Sequence, residues 1–247
     1  MSILVTGASG HLGRSVVEHL LASGAPADSI VAGARTPSSV DDLAAAGVRV
    51  RRVDYADASS LPDALADIDT VLLVSGNEFG QRVQQHTAVA RAAADAGASR
   101  LVYTSAPRAD ATALELAGEH AATEAAIRAV GVPYTILRNN WYFENYTDQI
   151  PTYLELGAVF GSAGDGRISG ASRSELAEAA AVVLTTDGHT GATYELGGDE
   201  PFTLAELAAA VSAASGRPVS YQDVPAAELA AILSGAGLPE PVAAMLA

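Results

Sequence analysis

Gly7, Gly10 and Gly13, in the run Gly7-Ala8-Ser9-Gly10-His11-Leu12-Gly13, have the spacing of a turn that cradles a pyrophosphate. Gly7 permits a tight turn out of a strand. Gly10 lets the backbone approach a phosphate, and Gly13 allows a helix to pack closely on a sheet. The free amides and the dipole of the following helix then favour negative charge. A second group, Arg138-Asn139-Asn140-Trp141-Tyr142-Phe143-Glu144-Asn145-Tyr146, gathers four of the thirteen aromatic residues in the chain. Aromatic walls with a few convergent amides suit a flat organic molecule. A packed loop anchoring a second lobe is the alternative, and Phe143 fits that role.

The elements that must position these residues are legible in the hydrophobic pattern. Ser2 to Thr6 reads as a buried strand and Arg14 to Leu21 as an amphipathic helix, the context a dinucleotide turn requires. Strands at Ser29–Ala34, Val48–Val53, Thr70–Val74, Arg100–Thr104 and Pro133–Leu137 alternate with helices at Val40–Ala46, Leu61–Ala66, Glu78–Ala96 and Ala113–Val130. The order predicts a Rossmann-type α/β fold, a doubly wound parallel sheet with right-handed crossovers. The Val/Arg alternation of Val48–Val53 suits an edge strand, and the apolar Thr70–Val74 suits the middle of the sheet.

Residues 1–140 form the expected dinucleotide-binding domain, and 141–247 a smaller α/β lobe, interleaved with the sheet, that covers the substrate. That lobe is expected to hold a short hairpin within Val159–Ser169 and a helix Ser174–Leu184 capped by Ser172. A strand Thr193–Leu196 follows, then a helix Leu204–Ser215 with Thr203 and Glu206 at capping-box spacing. A strand Val219–Tyr221 and two short helices, the second after Pro239, complete it.

In such sheets ligands bind at the carboxyl ends of the strands. The second strand ends at Arg35 with no Asp or Glu, and Asp28 lies at its other end. An Arg there accommodates the 2′-phosphate of NADP, where an acid would mark NAD; a solvated loop cap is the alternative. Asp54 and Tyr55 close the third strand, placed either to meet the adenine or to cap the turn. Ser75-Gly76 and Thr104-Ser105 stand at the fourth and fifth tips. Arg82, near the start of a helix beside Gln81, is either a cofactor contact or an ordinary exposed residue.

Composition removes other chemistries. There is no cysteine, and all 14 basic residues are Arg, so thiolate chemistry, lysine Schiff bases and a P-loop lysine are excluded. No metal site is expected. A formal charge of −15 argues against nucleic-acid partners. No signal-like segment precedes the first strand, and no apolar run approaches the roughly 18 residues of a membrane span. A cytoplasmic protein with no membrane partner is therefore expected, and a homodimer is the assembly considered.

On the helix after the fifth strand, short-chain dehydrogenases carry Tyr-x-x-x-Lys, with a Glu often four residues beyond the Lys. Registering on Glu124 puts His120 at the lysine position and Leu116 at the tyrosine position. The dyad is absent, so ordinary alcohol–ketone interconversion lacks its placed acid. His120 either contacts the cofactor ribose, donates a proton, or is a helix histidine satisfied by a neighbouring carbonyl.

Together with the turn and the Arg35 tip, Gly80-Gln81-Arg82, Gln85-His86, Tyr103-Thr104-Ser105, Glu119-His120, Tyr134 to Asn139, Glu144-Asn145-Tyr146 and Ala163-Gly164-Asp165-Gly166 resemble the bacterial NADPH:quinone oxidoreductase type 2 proteins. These are atypical short-chain dehydrogenases of the NmrA-like group, related to triphenylmethane dye reductases. The resemblance implies NADP(H) bound by Gly7, Ala8, Ser9, Gly10, His11, Leu12, Gly13, Arg35, Ser75, Gly76, Arg82 and Asn139. It also implies a quinone held near Trp141, Tyr142 and Tyr146. The expected reaction is direct hydride transfer to a quinone or similar conjugated acceptor, with Asn139 or Tyr142 steadying the oxyanion. A non-catalytic NADP(H)-sensing regulator and a reductase of dyes or enones are the alternatives. Members of the group continue beyond the segment matching Leu238–Ala247.

Overall fold

The computed structural model describes residues 1–112 and 116–247 in full and the backbone of 115. Positions 113 and 114, the expected start of one helix, lie outside the described residues. In chain order the elements are β1 Ile3–Val5, α1 His11–Ala22, β2 Ile30–Ala34, α2 Asp41–Ala45, β3 Arg49–Arg52, α3 Leu61–Leu65 and β4 Thr70–Leu73. Then come α4 Arg82–Asp95, β5 Arg100–Ser105, α5 Glu115–Val130, β6 Tyr134–Asn139, α6 Glu144–Thr147, α7 Ile150–Leu156 and β7 Ala158–Gly161. The chain closes with α8 Arg173–Thr185, β8 Thr193–Leu196, α9 Leu204–Ser215, β9 Ser220–Asp223, α10 Ala226–Gly235 and α11 Glu240–Leu246.

Two compact units emerge. The first comprises Met1–Asn140 and Arg173–Leu196. Its sheet has the order β3-β2-β1-β4-β5-β6-β8, with every pairing parallel. The segment carrying α8 and β8, expected in the lobe, thus returns to the sheet, where β8 pairs with β6 from Ile136↔Thr193 to Asn139↔Leu196. Strand order reverses at β1: β2 lies on one side and β4 on the other. That reversal opens a crevice at the carboxyl ends of the strands.

Successive side chains of a strand point to opposite faces. Leu4, Val31, Val71, Leu101, Tyr103 and Ile136 therefore share one face, where they pack against Leu65, Val89, Ala90, Ala93 and Ile127 of α3, α4 and α5. Helices α1 and α8 pack on each other, with Val16, Val17, Leu20, Ala177 and Ala180 buried. The edge strand β3 keeps the partial exposure its Val/Arg alternation predicted.

The second unit comprises Trp141–Ser172 and Gly197–Ala247. The hairpin expected within Val159–Ser169 does not form. Instead β7 pairs in parallel with β9, Ala158↔Ser220 to Gly161↔Asp223. Burial drives this choice: Val159 packs with Ala208, Val211 and Val219 in a small core of its own. Ile168 bridges antiparallel to Phe202. The capping box at Thr203 is present in full, with Glu206 answering the Thr203 amide at 2.7 Å.

The helix expected from Glu78 begins only at Arg82. Gly80 takes φ +79°, which no helical residue adopts. Glu78 to Gln81 therefore stays a loop between β4 and α4. Among the described residues, no helix is long and apolar enough to cross a membrane.

Candidate functional site

The glycine turn leaves β1 as its sequence requires. Gly7 sits at φ +61°, and a Cβ on Gly13 would lie 2.4 Å from the Gly7 carbonyl oxygen. Only glycine permits this closeness of turn and helix. The Ala8 amide donates to the Gly33 carbonyl at 2.9 Å and the Gly10 amide to the Gly7 carbonyl at 2.9 Å. Gly10 is the N-cap of α1, with no side-chain cap and no acid in the first turn. The leading amides of α1 are thus left for an anion. Ser9, Gly10 and His11 are exposed there, while Ala8 and Leu12 are buried beneath.

Arg35, beyond the end of β2, is 69% exposed and pairs with Glu78 at 3.3 Å. Asp54 caps its own turn: it accepts from the Ala56 amide at 3.1 Å and pairs with Arg52 at 3.0 Å. The Tyr55 hydroxyl is committed inside the fold. It donates to the Val74 carbonyl at 2.7 Å and meets the Thr6 hydroxyl. Burial raises the pKa of this phenol above its ordinary value.

At the β4 tip, the Ser75 amide donates to Thr104 Oγ1 at 2.8 Å, and the Gly76 amide donates to His86 Nε2 at 3.0 Å. The Gly76 carbonyl accepts from Arg82 Nε at 2.9 Å. Arg82 is only 4% exposed and so is not an ordinary surface residue. Its Nη1 pairs with Glu119 Oε2 at 2.7 Å, and the other oxygen of Glu119 accepts from the Gly80 amide at 2.8 Å. Arg82 and Glu119 together clamp the loop from Gly76 to Gly80. Thr104, 2% exposed, braces Ser75.

At the β5 tip, Ser105 donates its hydroxyl proton to Glu124 Oε1 at 2.7 Å. Arg138 grips Glu124 in a fork, Nε to Oε1 at 2.9 Å and Nη2 to Oε2 at 2.8 Å. Burial pushes the Glu124 pKa upward, but the bonds from Arg138 and Ser105 outweigh it and hold the carboxyl below its usual range. With its proton spent on Glu124, Ser105 can offer the crevice only lone pairs.

His120 is 5% exposed and bonds through Nδ1 to the Tyr103 hydroxyl at 2.8 Å, not to a carbonyl. Burial lowers its pKa to about 4, with the nearby Arg82 charge adding to the effect. It is therefore neutral near pH 7. Leu116 stands one turn earlier on α5, where the dehydrogenase tyrosine would be. Asn139 ends β6, is 7% exposed, and its Oδ1 is buried with no hydrogen-bond partner among the described residues.

The sheet thus brings the turn, Arg35, Ser75, Gly76, Thr104, Ser105 and Asn139 to one edge of the first unit. Trp141, Tyr142 and Tyr146 belong to the second unit. There Tyr142 bridges to Ala171, Tyr146 stacks edge-on to Phe202 at 5.7 Å, and Trp141 is 37% exposed. Burial raises the Tyr146 pKa to about 12. Phe143 also packs on Phe202, at 5.8 Å, as an anchoring role requires.

Sequence reasoning gave no role to Thr6, His86, Glu119 or the Glu124–Arg138 fork. Their partners lie between 10 and 68 residues away. No spacing rule links such pairs before the strands are ordered.

The whole chain, residues 1–247, matches the model of the NmrA-like family. It is 46% identical over 245 residues to quinone oxidoreductase 2 of Escherichia coli, covering 99% of this chain and 85% of that protein. The crystal structure of the NADPH-dependent quinone oxidoreductase from Escherichia coli complexed with NADPH superposes with a TM-score of 0.96, at 46% identity, over 99% of this chain and 86% of that one. The triphenylmethane reductase of Citrobacter sp. complexed with NADP(H) gives 0.92 at 39% identity, over 100% and 87%. A sheet order that reverses at a glycine turn, a clamped loop after β4 and a family match along the full length agree: the chain belongs to the NmrA-like family.

Proposed function

We propose that this protein is an NADPH-dependent reductase that passes hydride directly to a quinone or similar conjugated acceptor. The observation that carries the acceptor class is the environment of position 120. The tyrosine–lysine pair is replaced by Leu116 and by a buried, neutral His120 bonded to Tyr103. Neither residue supplies the acid that an alkoxide requires, and a conjugated acceptor needs none, because its negative charge is delocalised. The likeness to quinone oxidoreductase 2 and to the NADPH-bound structure supports the same assignment.

The residues present fit the cofactor. The uncapped start of α1 and the Gly7–Gly13 cradle suit a diphosphate, and a Cβ at Gly13 would clash with the Gly7 carbonyl and force the turn away from α1. The exposed Arg35 suits a 2′-phosphate. Asn139 Oδ1, an orphaned acceptor, suits a hydrogen-bond donor such as a carboxamide or hydroxyl. When bound, the reduced cofactor supplies the hydride.

Every other task falls to the chain. Ser75, Gly76, Thr104 and Ser105 define the crevice floor, with Arg82, Glu119 and Glu124 fixing them from below. Asn139 or Tyr142 steadies the oxygen of the acceptor. Trp141 and Tyr146 add aromatic surface. His120, with its Nδ1 engaged and its charge suppressed, positions Tyr103 and is not a proton source. Asp54 and Tyr55 shape the adenine side through turn geometry.

The test is NADPH oxidation, followed by absorbance, with benzoquinones and naphthoquinones and with NADH in parallel. Turnover that prefers NADPH, and loses that preference in Arg35→Asp, is expected. Binding of both cofactor forms without turnover would instead identify a dinucleotide sensor.

A further inference from the structure

Arg35 and Glu78 belong to segments that follow β2 and β4, the two neighbours of β1 in the sheet. Their ion pair, Nη1 to Oε1 at 3.3 Å, therefore reaches across the end of the strand that launches the glycine turn. Both side chains are exposed, and among the described residues Arg35 has no other partner. Exposed pairs of this kind are weak and exchange readily.

Glu78 is nevertheless not a loose surface acid. Its second oxygen, Oε2, accepts from Gln85 Nε2 at 2.7 Å, and Gln85 is buried on α4 at 7% exposure. Two residues on, the Gly80 amide is held by Glu119. Between them Phe79 lies under the Arg82 guanidinium, 5.2 Å from its carbon to the ring centre. The loop presents Glu78 to Arg35 from an anchored position. Gln85 also lets Glu78 release Arg35 without losing its last partner.

We infer that Glu78 is a built-in counter-anion for Arg35, exchanged for the 2′-phosphate of an entering dinucleotide. This rests on the assignment of Arg35 to that phosphate. A phosphate dianion carries more charge than a carboxylate and binds a guanidinium through two parallel bonds, so the exchange runs toward the ligand. A dinucleotide without the 2′-phosphate offers Arg35 only a neutral hydroxyl there and leaves the pair intact. Glu78 thereby lowers the affinity for 2′-phosphorylated ligands specifically, through competition for Arg35. It sets how far the protein separates the two cofactor classes, and it does so without touching the reacting atoms.

Calorimetric titration of the full chain with adenosine 2′,5′-bisphosphate and with adenosine 5′-monophosphate isolates the effect. The proteins compared are the wild type, Glu78→Gln, Arg35→Gln and the double variant. The amide of Glu78→Gln keeps an oxygen to accept from Gln85, so the loop stays anchored. Tightening of the bisphosphate by about three- to fivefold in Glu78→Gln is expected, the scale of one exposed ion pair. The monophosphate should be unchanged, and Glu78→Gln should have no effect once Arg35 is replaced. If Arg35→Gln weakens the bisphosphate but Glu78→Gln leaves it unaltered, the exchange is wrong while the Arg35 assignment stands. Equal tightening of both ligands would overturn it too, since that is a general charge effect. If Arg35→Gln leaves the bisphosphate unaffected, the Arg35 assignment itself fails.

Discussion

Gly76 is held by His86 through a single partly buried hydrogen bond, its amide donating to Nε2 at 3.0 Å. That bond fixes the tautomer, because an accepting Nε2 places the ring proton on Nδ1, which is buried with no partner among the described residues. His86 sits edge-on to Tyr55 at 5.8 Å and to Tyr103 at 5.3 Å, and Tyr103 in turn bonds His120. A row of four rings thus underlies the crevice, and its two histidines must stay neutral.

Stability should therefore depend on pH through these histidines. Burial lowers the pKa of His86 to about 3 and that of His120 to about 4, with Arg82 adding to both shifts. The unfolded chain binds both protons near pH 6.5, while the folded chain refuses them. Their contribution is full above that value and is lost as pH falls toward the folded values, at up to about 1.4 kcal/mol per pH unit for each histidine. Unfolding midpoints at pH 7, 6 and 5 should drop steeply. The double variant His86→Gln, His120→Gln should flatten that dependence between pH 6.5 and 5; an unchanged slope would show that other groups control it.

Glu124→Ala should destabilise the fold by about 3–5 kcal/mol, the usual consequence of breaking a buried charge pair. Arg138 is 7% exposed on its side chain and would lose both bonds of its fork, keeping Asp110 and Glu195 at its outer nitrogen. Urea unfolding measures this. A loss below about 1 kcal/mol would mean that those two outer acids suffice.

Gly13→Ala should weaken NADPH binding by more than it weakens the fold. The new methyl would fall 2.4 Å from the Gly7 carbonyl oxygen, so the turn and α1 must separate. Overpacking of this kind costs about 1–3 kcal/mol, and the amides aimed at the diphosphate move with the turn. Thermal unfolding and a cofactor titration report the two effects; full affinity in the variant would remove the turn from the binding site.

Replacing Asn139 and Tyr142 together with alanine should lower kcat/KM for quinones on the order of a hundredfold, the scale of a lost oxyanion donor. NADPH-linked absorbance assays decide it. Undiminished quinone reduction would defeat the assignment of these two residues to the acceptor.

The alternation of strands and helices, the glycine turn, the Arg35 tip and the absence of the tyrosine–lysine pair are all legible along the chain. These are local matters of hydrophobic period, backbone freedom and residue identity over a few positions. The capping box at Thr203 was legible for the same reason. Tertiary structure alone decided where buried polar atoms find partners. Thr6 is 68 positions from Val74, yet its hydroxyl receives the Val74 amide at 3.0 Å, because β1 and β4 are neighbours in the sheet. Arg82 became a clamp because the Gly76 carbonyl and Glu119 converge on it out of water, where an unpaired guanidinium is costly. The parallel pairing of β7 with β9 likewise followed from a core that Val159 shares with α9 and Val219, more than 40 residues on. A hydrogen bond or a packed core is specified by proximity in space, and proximity exists only once the sheet has set the order of its strands.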